Sequence, residues 1–439
     1  MTAPRRDAEV IVVGGGPAGS AAAYFLARAG VDVLVLDRAR FPRDKACAEY
    51  LSPQASRILG EMSLLERAEE AGAAQLAGMR VHAPNGLVIH GEFAATHGFR
   101  GFRDRGLALR RTVLDAMLLT RAGEAGARIA EATTVRSLLR APDGRVTGVA
   151  VHDEWGAREL RAPLVVGADG LRSVVARRLA LARVGRWPRR IALVAHYRGV
   201  VGMGPFGEMH VDRSGYTGLA DVGGGVTNLA IVVPASDARG MDGDPDAFME
   251  RWIAARPALQ ARTKGATRLA AVRVTGPFNS QARRAWAPGA ALTGDAADFF
   301  DPFTGEGIYA ALRGGELLAS YAFDAARARS PRRADVALAA WDRCLRSEFR
   351  GKRVVERAVG IAVAFPSLLD RAARTLSVRR DMADLLVGVT GDFVPAREVL
   401  RPSFIIRLLF PPRRQSGTAG DSGRRDGASA DPSLPYTST

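Results

Sequence analysis

The sequence predicts an α/β protein with a discontinuous Rossmann-like domain, an inserted antiparallel β-sheet domain and a C-terminal helical segment. Three observations lead to this prediction. A glycine-rich turn follows the first apolar strand, apolar strands of the same kind return far along the chain, and alternating strands separate them. The chain has 439 residues, which is enough for a cofactor domain and a substrate domain.

The nucleotide-binding unit begins close to the N-terminus. An apolar strand pattern over residues 9–13 leads into the glycine-rich turn 14–19, an alanine-rich helix pattern over 20–29 and a second apolar strand over 31–36. Asp37 ends that strand, where an acidic side chain binds the ribose hydroxyls of an ADP moiety. The unit therefore predicts an ADP-containing cofactor, a description that fits both NAD and FAD.

Each glycine of the turn has a separate physical task. Gly14 permits the tight turn, Gly16 lets the backbone approach a pyrophosphate, and Gly19 allows close packing of helix on strand. The start of the helix, at Pro17 and Ala18, offers amides and a partial positive charge to the same anion. The turn therefore predicts a pyrophosphate site.

Composition narrows the function classes. The formal charge is +16, yet the basic residues are mostly arginines spread without aromatic interleaving, so we expect no nucleic-acid partner. Cys47, Cys344 and the six scattered histidines show no spacing typical of metal ligands, and we expect no metal. The polar N-terminus does not resemble a signal peptide, which predicts a cytoplasmic protein.

The domain organisation follows from where each pattern starts and stops. Buried-strand patterns at residues 164–167 and 290–293 belong with the N-terminal unit, whereas 191–234 alternates as an antiparallel sheet does. The expected boundaries are 8–75, 106–188 and 279–328 for the nucleotide-binding domain, 76–105 and 189–278 for the substrate domain, 329–410 for the C-terminal helical region, and 411–439 for a disordered tail.

Two later segments indicate which cofactor is bound. Residues 165–177 (VVGADGLRSVVAR) and 292–308 (LTGDAADFFDPFTGEGI) resemble the Asp-Gly and Gly-Asp fingerprints of one flavoprotein superfamily. That superfamily contains p-hydroxybenzoate-hydroxylase-type monooxygenases and geranylgeranyl reductases. Together with the glycine turn, three motifs stand in the family's order over roughly residues 8–325. The resemblance implies FAD as the cofactor.

The resemblance also implies roles for individual residues. Asp295 would accept hydrogen bonds from the ribityl chain, and Pro302 would lie against the isoalloxazine ring. Arg111 would reach the flavin or its phosphates, and Asp169 would steady the FAD-binding loops. The expected catalytic residues are Pro302 and Cys47, and the expected cofactor-binding residues are Gly14, Gly16, Pro17, Ala18, Gly19, Asp37, Arg38, Arg111, Val135, Asp169, Gly294, Asp295, Pro302, Gly305, Gly307 and Ile308.

The choice of branch within the superfamily depends on residues 41–53 (FPRDKACAEYLSP). They resemble the Cys-Gly-Gly or Cys-Gly-Glu stretch of the geranylgeranyl reductase branch, but Ala48 replaces the glycine after Cys47. Residues 216–221 also lack the Trp and Phe-Pro substrate motif of the lipid reductases. Flavin-dependent halogenases are set aside because their Trp-x-Trp-x-Ile-Pro signature is missing. Whether Cys47 faces the flavin or is an inert buried thiol stays open.

These observations favour an NAD(P)H-dependent monooxygenase that hydroxylates or epoxidises a hydrophobic small molecule. The alternatives are a geranylgeranyl-reductase-like enzyme that reduces carbon–carbon double bonds of a lipid, and a non-catalytic FAD-holding protein. Electrons would come from NAD(P)H or from a partner flavin reductase, and a carrier protein is a further candidate partner. Candidate residues for the substrate pocket are His196, Tyr197, Glu208, His210 and Tyr216.

The C-terminal region leaves a further choice open. Residues 354–374 predict an amphipathic helix, and the apolar stretch 404–410 lies beside Arg401 and Arg407. Such a segment can pack on the protein's own core, close a substrate tunnel, or rest peripherally on a membrane surface.

Overall fold

The computed structural model describes residues 6–241 and 243–410, and the predicted disordered tail 411–439 lies outside them. The α-helices are α1 (Pro17–Arg28), α2 (Ala55–Glu61), α3 (Leu65–Glu70), α4 (Arg111–Glu124), α5 (Val174–Arg178), α6 (Pro245–Ala254), α7 (Pro257–Thr263), α8 (Gly307–Ala326), α9 (Pro331–Ala364), α10 (Pro366–Leu376), α11 (Arg380–Thr390), α12 (Arg397–Leu400) and α13 (Pro402–Leu409). Short 3₁₀ helices cover Ala235–Met241, Gly294–Ala296 and Pro302–Thr304.

The strands fall into five sheets. In chain order they are β1 (Val10–Val13), β2 (Val33–Leu36), β3 (Tyr50–Leu51), β4 (Ala74–Leu76), β5 (Gly78–His82), β6 (Val88–Glu92), β7 (Gly106–Ala108), β8 (Arg128–Ala130), β9 (Thr134–Arg140), β10 (Val146–Asp153), β11 (Gly156–Arg161), β12 (Leu164–Gly167), β13 (Ala182–Val184), β14 (Arg190–Arg198), β15 (Phe206–Asp212), β16 (Gly215–Asp221), β17 (Val226–Pro234), β18 (Thr267–Arg268), β19 (Arg273–Thr275), β20 (Ser280–Ala282), β21 (Trp286–Ala287), β22 (Ala290–Leu292) and β23 (Asp298–Phe299).

A six-stranded sheet with the order β21-β22-β12-β1-β2-β8 forms the Rossmann-like layer. Its strands are parallel except β21, which pairs antiparallel with β22 at one edge. Val13 pairs with Gly167, and Gly167 pairs with Leu292. The three sequence motifs therefore leave the sheet side by side at the carboxyl ends of β1, β12 and β22. The predicted discontinuous α/β fold is confirmed.

The second large sheet has eight strands in the order β18-β14-β17-β16-β15-β5-β6, with β19 also pairing β14. Most neighbours are antiparallel, as predicted, but β5 runs parallel to β15. Strands β5 and β6 therefore extend a sheet whose other members come from residues 190–275. The exact domain boundaries drawn from the sequence stay a prediction.

Helices α1 and α8 pack closely because small residues line their contact. A Cβ on Gly315 would lie only 2.6 Å from the carbonyl oxygen of Ala18, so the two backbones almost touch. Ala21 and Ala22 are fully buried in the same contact region. This packing brings the N-termini of both helices to the carboxyl edge of the parallel sheet, because α1 follows β1 and α8 follows the segment after β22.

The C-terminal helices contact both large sheets, because α9 packs on β21 and both α10 and α11 pack on β6. The prediction of one amphipathic helix over residues 354–374 is wrong, because α9 ends at Ala364 and α10 begins at Pro366. Proline cannot donate the backbone hydrogen bond that would continue α9, which accounts for the break. Within the described residues no helix is both long and apolar enough to span a membrane. The predicted peripheral membrane contact stays a prediction.

Trp341 anchors α9 to the Rossmann-like layer. Its side chain is fully buried, and its Nε1–H donates to the carbonyl oxygen of Leu292 at 3.0 Å. We expect Trp341→Phe to lower the free energy of unfolding by about 1–3 kcal/mol, because the substitution leaves a buried acceptor without its donor. Urea unfolding measures this change.

Trp155 provides the matched control, since it is 74% exposed. Trp155→Phe should change the free energy of unfolding by less than about 0.5 kcal/mol. Equal effects of the two substitutions would show that the Trp341 hydrogen bond does not stabilise the protein.

Candidate active site

One large cavity lies where the two large sheets and α9 meet. The cavity is partly open to solvent, and residues of the glycine turn, the Gly-Asp segment and the eight-stranded sheet all line it, so the cofactor motifs and the sheet face share one space. Its walls include Gly16 from the glycine turn and Asp295 from the Gly-Asp segment.

The glycine turn leaves no room for a side chain at Gly14 and Gly19. Gly14 has φ +103°, and a Cβ there would lie 2.5 Å from the carbonyl oxygen of Ala168. A Cβ on Gly19 would lie 1.8 Å from the carbonyl oxygen of Gly14. A Cβ on Gly16 would point toward guanidinium groups instead, with Arg43 Nη2 at 3.4 Å. Gly16, Pro17 and Ala18 line the cavity, so the turn opens toward it.

Asp37 lies beside the turn and not on the cavity wall. Its Oδ2 accepts the amide of Gly15 at 2.8 Å, and its Oδ1 accepts the amide of Ala39 at 2.8 Å. The carboxylate thus fixes the turn, and each oxygen keeps a lone pair for another donor. Arg38 is exposed, and Val135, on β9, is buried; neither lines the cavity. Their predicted cofactor contacts stay predictions.

Arg111 and Arg43 form a cationic wall near the turn. Arg111 makes a bidentate pair with the fully buried Asp115 at 2.6 and 2.7 Å, and Arg43 Nη1 contacts the same carboxylate at 2.9 Å. Burial opposes the charge on Arg111, but the neighbouring Asp115 outweighs burial and raises the pKa of Arg111. Two guanidinium groups therefore share one carboxylate, which leaves positive charge for an anionic ligand.

Lys45 is a cavity residue that the sequence analysis did not assign. Its Nζ lies 4.0 Å from Asp295 Oδ2, so it joins the glycine-turn side of the cavity to the Gly-Asp segment. Burial lowers the pKa of Lys45, and the charge of Asp295 opposes that shift. The glycines without room for a Cβ, the helix N-terminus and the three cations together fit the pyrophosphate of a dinucleotide.

Asp169 organises the Asp-Gly segment from below the cavity surface. Its Oδ2 accepts the amides of Val174 at 2.6 Å and Val175 at 3.3 Å, at the start of α5. Its Oδ1 is buried and has no hydrogen-bond partner among residues 6–241 and 243–410, and burial raises the pKa of Asp169. Asp169 does not line the cavity. Its geometry suits the predicted role of holding a loop.

The two expected catalytic residues lie on the wall of the same cavity. Cys47 Sγ accepts the amide of Glu49 at 3.3 Å, while its carbonyl oxygen accepts Asn228 Nδ2 at 2.8 Å. Pro302 begins the 3₁₀ turn before α8 and reaches the cavity together with Cys47. The cavity wall also includes Gly294, Gly305, Gly307 and Ile308. The chemical roles of Cys47 and Pro302 stay predictions.

Glu49 joins the two domains, and the sequence analysis gave it no role. It is fully buried at φ +61°. One carboxylate oxygen accepts the backbone amide of Arg111 at 2.8 Å. The other bonds His196 Nε2 at 2.7 Å and accepts Asn228 Nδ2 at 3.0 Å. An acidic residue inside an otherwise apolar stretch next to Cys47 was the sequence signal that could have found it.

The substrate sheet gives the cavity an apolar face. Ala192, Val194, Met209, Ala230 and Val232 line it. Of the five pocket candidates, Glu208 and Tyr216 reach the cavity wall, whereas His196, Tyr197 and His210 do not. Tyr216 donates from its hydroxyl to Asp301 Oδ1 at 2.8 Å, and Arg190 pairs with Asp301 Oδ2 at 2.7 Å. The sheet therefore packs on the segment that carries Pro302.

Three side chains of this sheet have the spacing of metal ligands. Ligand atoms of His82, Glu208 and His210 lie within 4.8 Å of one another. However, Arg262 forms an ion pair with Glu208, and this pair together with His210 lowers the pKa of Glu208 to about 2 against the opposing effect of burial. A guanidinium group already neutralises the carboxylate there. The prediction of no metal stays a prediction.

Helix α9 contributes a charged group of residues to an otherwise apolar stripe. Leu338, Trp341, Leu345 and Phe349 are buried at helical spacing, and Lys352 and Glu356 continue the same stripe. Both line the cavity, opposite Glu306 from the Gly-Asp segment. Charged residues at core positions of an amphipathic helix were the signal in the sequence that the analysis missed.

Comparison with known proteins identifies the family to which this chain belongs. The family described as FAD binding domain matches residues 7–321. The chain belongs to this FAD-binding family. The match spans the glycine turn, the Asp-Gly segment and the Gly-Asp segment, and so covers the cavity residues that would hold the cofactor. The identification of the chain as an FAD-dependent oxidoreductase of the superfamily that its motifs resemble is confirmed.

Its relatives include two reductases. Digeranylgeranylglycerophospholipid reductase 2 of Methanopyrus kandleri is 31% identical over 329 residues, covering 72% of this chain and 77% of the relative. Menaquinone reductase of Mycobacterium tuberculosis is 30% identical over 339 residues, covering 71% and 76%. A solved flavin-dependent brominase aligns with a TM-score of 0.76, covering 91% of this chain and 98% of the brominase. At 20% identity that likeness shows the fold alone.

Proposed function

We propose that this FAD-dependent oxidoreductase reduces carbon–carbon double bonds in a lipid with an isoprenoid chain. The observation that carries the proposal is the single cavity in which the cofactor motifs meet the apolar face of the eight-stranded sheet. The similarity to reductases named for digeranylgeranylglycerophospholipid and menaquinone supports it, since both lipids carry isoprenoid chains. This proposal replaces the preference for monooxygenation drawn from the sequence.

Residues in and beside the cavity would each have a separate role in such a reaction. Arg43, Lys45 and Arg111 would hold the pyrophosphate, and Asp295 would hold the ribityl chain. FAD, once bound and reduced, supplies a hydride. Apolar side chains such as Met209 and Val232 would hold an alkene chain and keep water away from it.

A direct experiment distinguishes double-bond reduction from monooxygenation. The FAD-loaded protein is reduced with dithionite under nitrogen and incubated with a geranylgeranylated glycerolipid or with menaquinone. The mass of the lipid is then measured by mass spectrometry. We expect the isoprenoid chain of the lipid, identified by fragmentation, to gain pairs of hydrogen atoms. The lipid should gain no oxygen atom when the experiment is repeated in air with NADPH.

A lipid that gains an oxygen atom only in air would overturn the reductase proposal in favour of monooxygenation. Ala48 is the feature that favours monooxygenation, because it lines the cavity at a position where the reductase branch has glycine. Ala48→Gly is the informative variant, because a reductase should tolerate or gain from it. A protein that holds FAD but changes neither lipid would support the non-catalytic alternative.

A further inference from the structure

We propose that Glu356 and Glu306 share one proton at the cavity wall and that Glu356 donates it to the substrate carbon next to the one that receives the hydride. This inference rests on the proposed double-bond reduction. It adds the proton source that such a reduction requires, which neither the family nor the sequence motifs assigned.

The pair is built from two elements that meet at the cavity. Glu306 precedes α8 in the Gly-Asp segment and is 4% exposed, and Glu356 lies on α9. Lys352 lies one helical turn before Glu356 on α9, and its Nζ is 3.3 Å from Glu306 Oε2, so both carboxyl groups lie beside the same ammonium group. Both residues line the cavity, so the shared proton lies within reach of a bound ligand.

The charges around the pair also require a proton. Lys352 is the cation that contacts the group, with its Nζ 3.3 Å from Glu306 Oε2 and in contact with Asp392. Glu306, Glu356 and Asp392 would together carry three negative charges against this one ammonium. Arg353 does not supply the missing charge, because it forms its own ion pair with Asp298. Like charges this close in a buried site cannot all stay ionised.

The pKa values of Glu306 and Glu356 are both raised, which agrees with the charge argument. Burial raises the pKa of Glu306, although Lys352 opposes the shift. Burial also raises the pKa of Glu356 well above its ordinary range, and the charge of Glu306 raises it further. The other titratable groups facing the pair are Tyr50 and Asp298. A raised carboxyl pKa favours the protonated form, and the proton is lost as the pH rises through that pKa.

The reaction balances with this proton. The carbon–carbon π bond breaks, one carbon forms a C–H bond with the hydride, and the other forms a C–H bond with the proton of Glu356. Glu356 is left as a carboxylate, and water in the cavity mouth restores its proton after product leaves. Lys352, at hydrogen-bond distance from Glu306, would stabilise the negative charge that the pair then carries.

Infrared spectroscopy tests the shared proton without reference to activity. The FAD-loaded protein should show a carboxylic-acid C=O band at neutral pH, shifted in D₂O and absent from Glu356→Gln. Glu348→Gln is the matched control, because Glu348 is an exposed residue of α9 paired with Arg313 and should leave the band unchanged. A band identical in wild type and Glu356→Gln would overturn the proposal.

Single-turnover reduction tests delivery of the proton. In Glu356→Gln, FAD and lipid binding should persist while the reduction rate falls about 10²–10⁴-fold, the range of general acid catalysis. In D₂O the product of the wild type should carry solvent deuterium at the carbon that receives the proton. The wild-type rate should fall as the pH rises, and Glu356→Gln should lack this pH dependence. Wild-type rates in Glu356→Gln would overturn this inference and leave the proposed function standing. No reduction by the wild type, with the infrared band present, would overturn the proposed function and, with it, the delivery step.

Discussion

Gly14→Ala is expected to yield a protein that no longer retains FAD. At φ +103° an alanine is strained, and its Cβ would lie 2.5 Å from the carbonyl oxygen of Ala168. That oxygen belongs to the backbone just after β12, so relief requires β1 and β12 to separate at the point where the pyrophosphate would bind. A penalty of about 3 kcal/mol corresponds to roughly 100-fold weaker binding. The visible spectrum after gel filtration, followed by FAD titration, measures the loss.

Gly30→Ala is the matched control for this prediction. Gly30 also has positive φ, +76°, but a Cβ there would meet nothing within 4 Å. The control therefore carries backbone strain of about 1–2 kcal/mol without a clash at the cofactor turn. It should unfold at a lower urea concentration yet keep its FAD affinity. Full FAD retention by Gly14→Ala would contradict the assignment of this turn to the cofactor.

Glu49→Ala is expected to destabilise the protein by about 3–5 kcal/mol, the usual cost of removing one partner from a buried charged cluster. The substitution leaves the amide of Arg111 and the ring of His196 without their acceptor, and it removes one of the two acceptors of the Asn228 side-chain amide. It also frees the loop that carries Cys47, so we expect weaker FAD binding as well. Urea unfolding of the apoprotein and FAD titration measure the two effects separately.

Two further variants serve as controls for the effect of Glu49→Ala on stability. Glu49→Gln keeps the size and one acceptor oxygen, so it should lose less stability than Glu49→Ala. Glu154→Ala removes an exposed carboxylate that pairs with Arg40, and such surface pairs contribute about 0–1 kcal/mol. If Glu49→Ala were no worse than Glu154→Ala, the network around Glu49 would not hold the two domains together.

The cofactor half of the site was predictable because its requirements are local. Tight turns at Gly14 and Gly305 need positive φ, and a residue's neighbours in sequence reveal such a turn. The alanine-rich helix pattern over residues 20–29 likewise predicted α1, which the structure has at Pro17–Arg28. Local backbone chemistry of this kind repeats from protein to protein, which is why the motifs identified the superfamily.

The substrate half was not predictable in the same way. Glu49 meets Asn228 and His196 across 179 and 147 residues of chain, and no spacing rule connects them. Tyr216 faces the cavity while Tyr197 and His210 do not, because the register of the sheet places those two side chains on its other face. The break of α9 at residue 365 decides where the following helices go.

The sequence by itself determined the Rossmann-like fold, the family and the cofactor, because glycine turns and helix starts act within a few residues of each other. Only the tertiary structure decided which other groups each charged side chain contacts. Lys352 and Glu356 are ordinary members of a basic, amphipathic helix until folding sets them against Glu306. Burial then removes the water that would screen their charges, and a proton becomes part of the site.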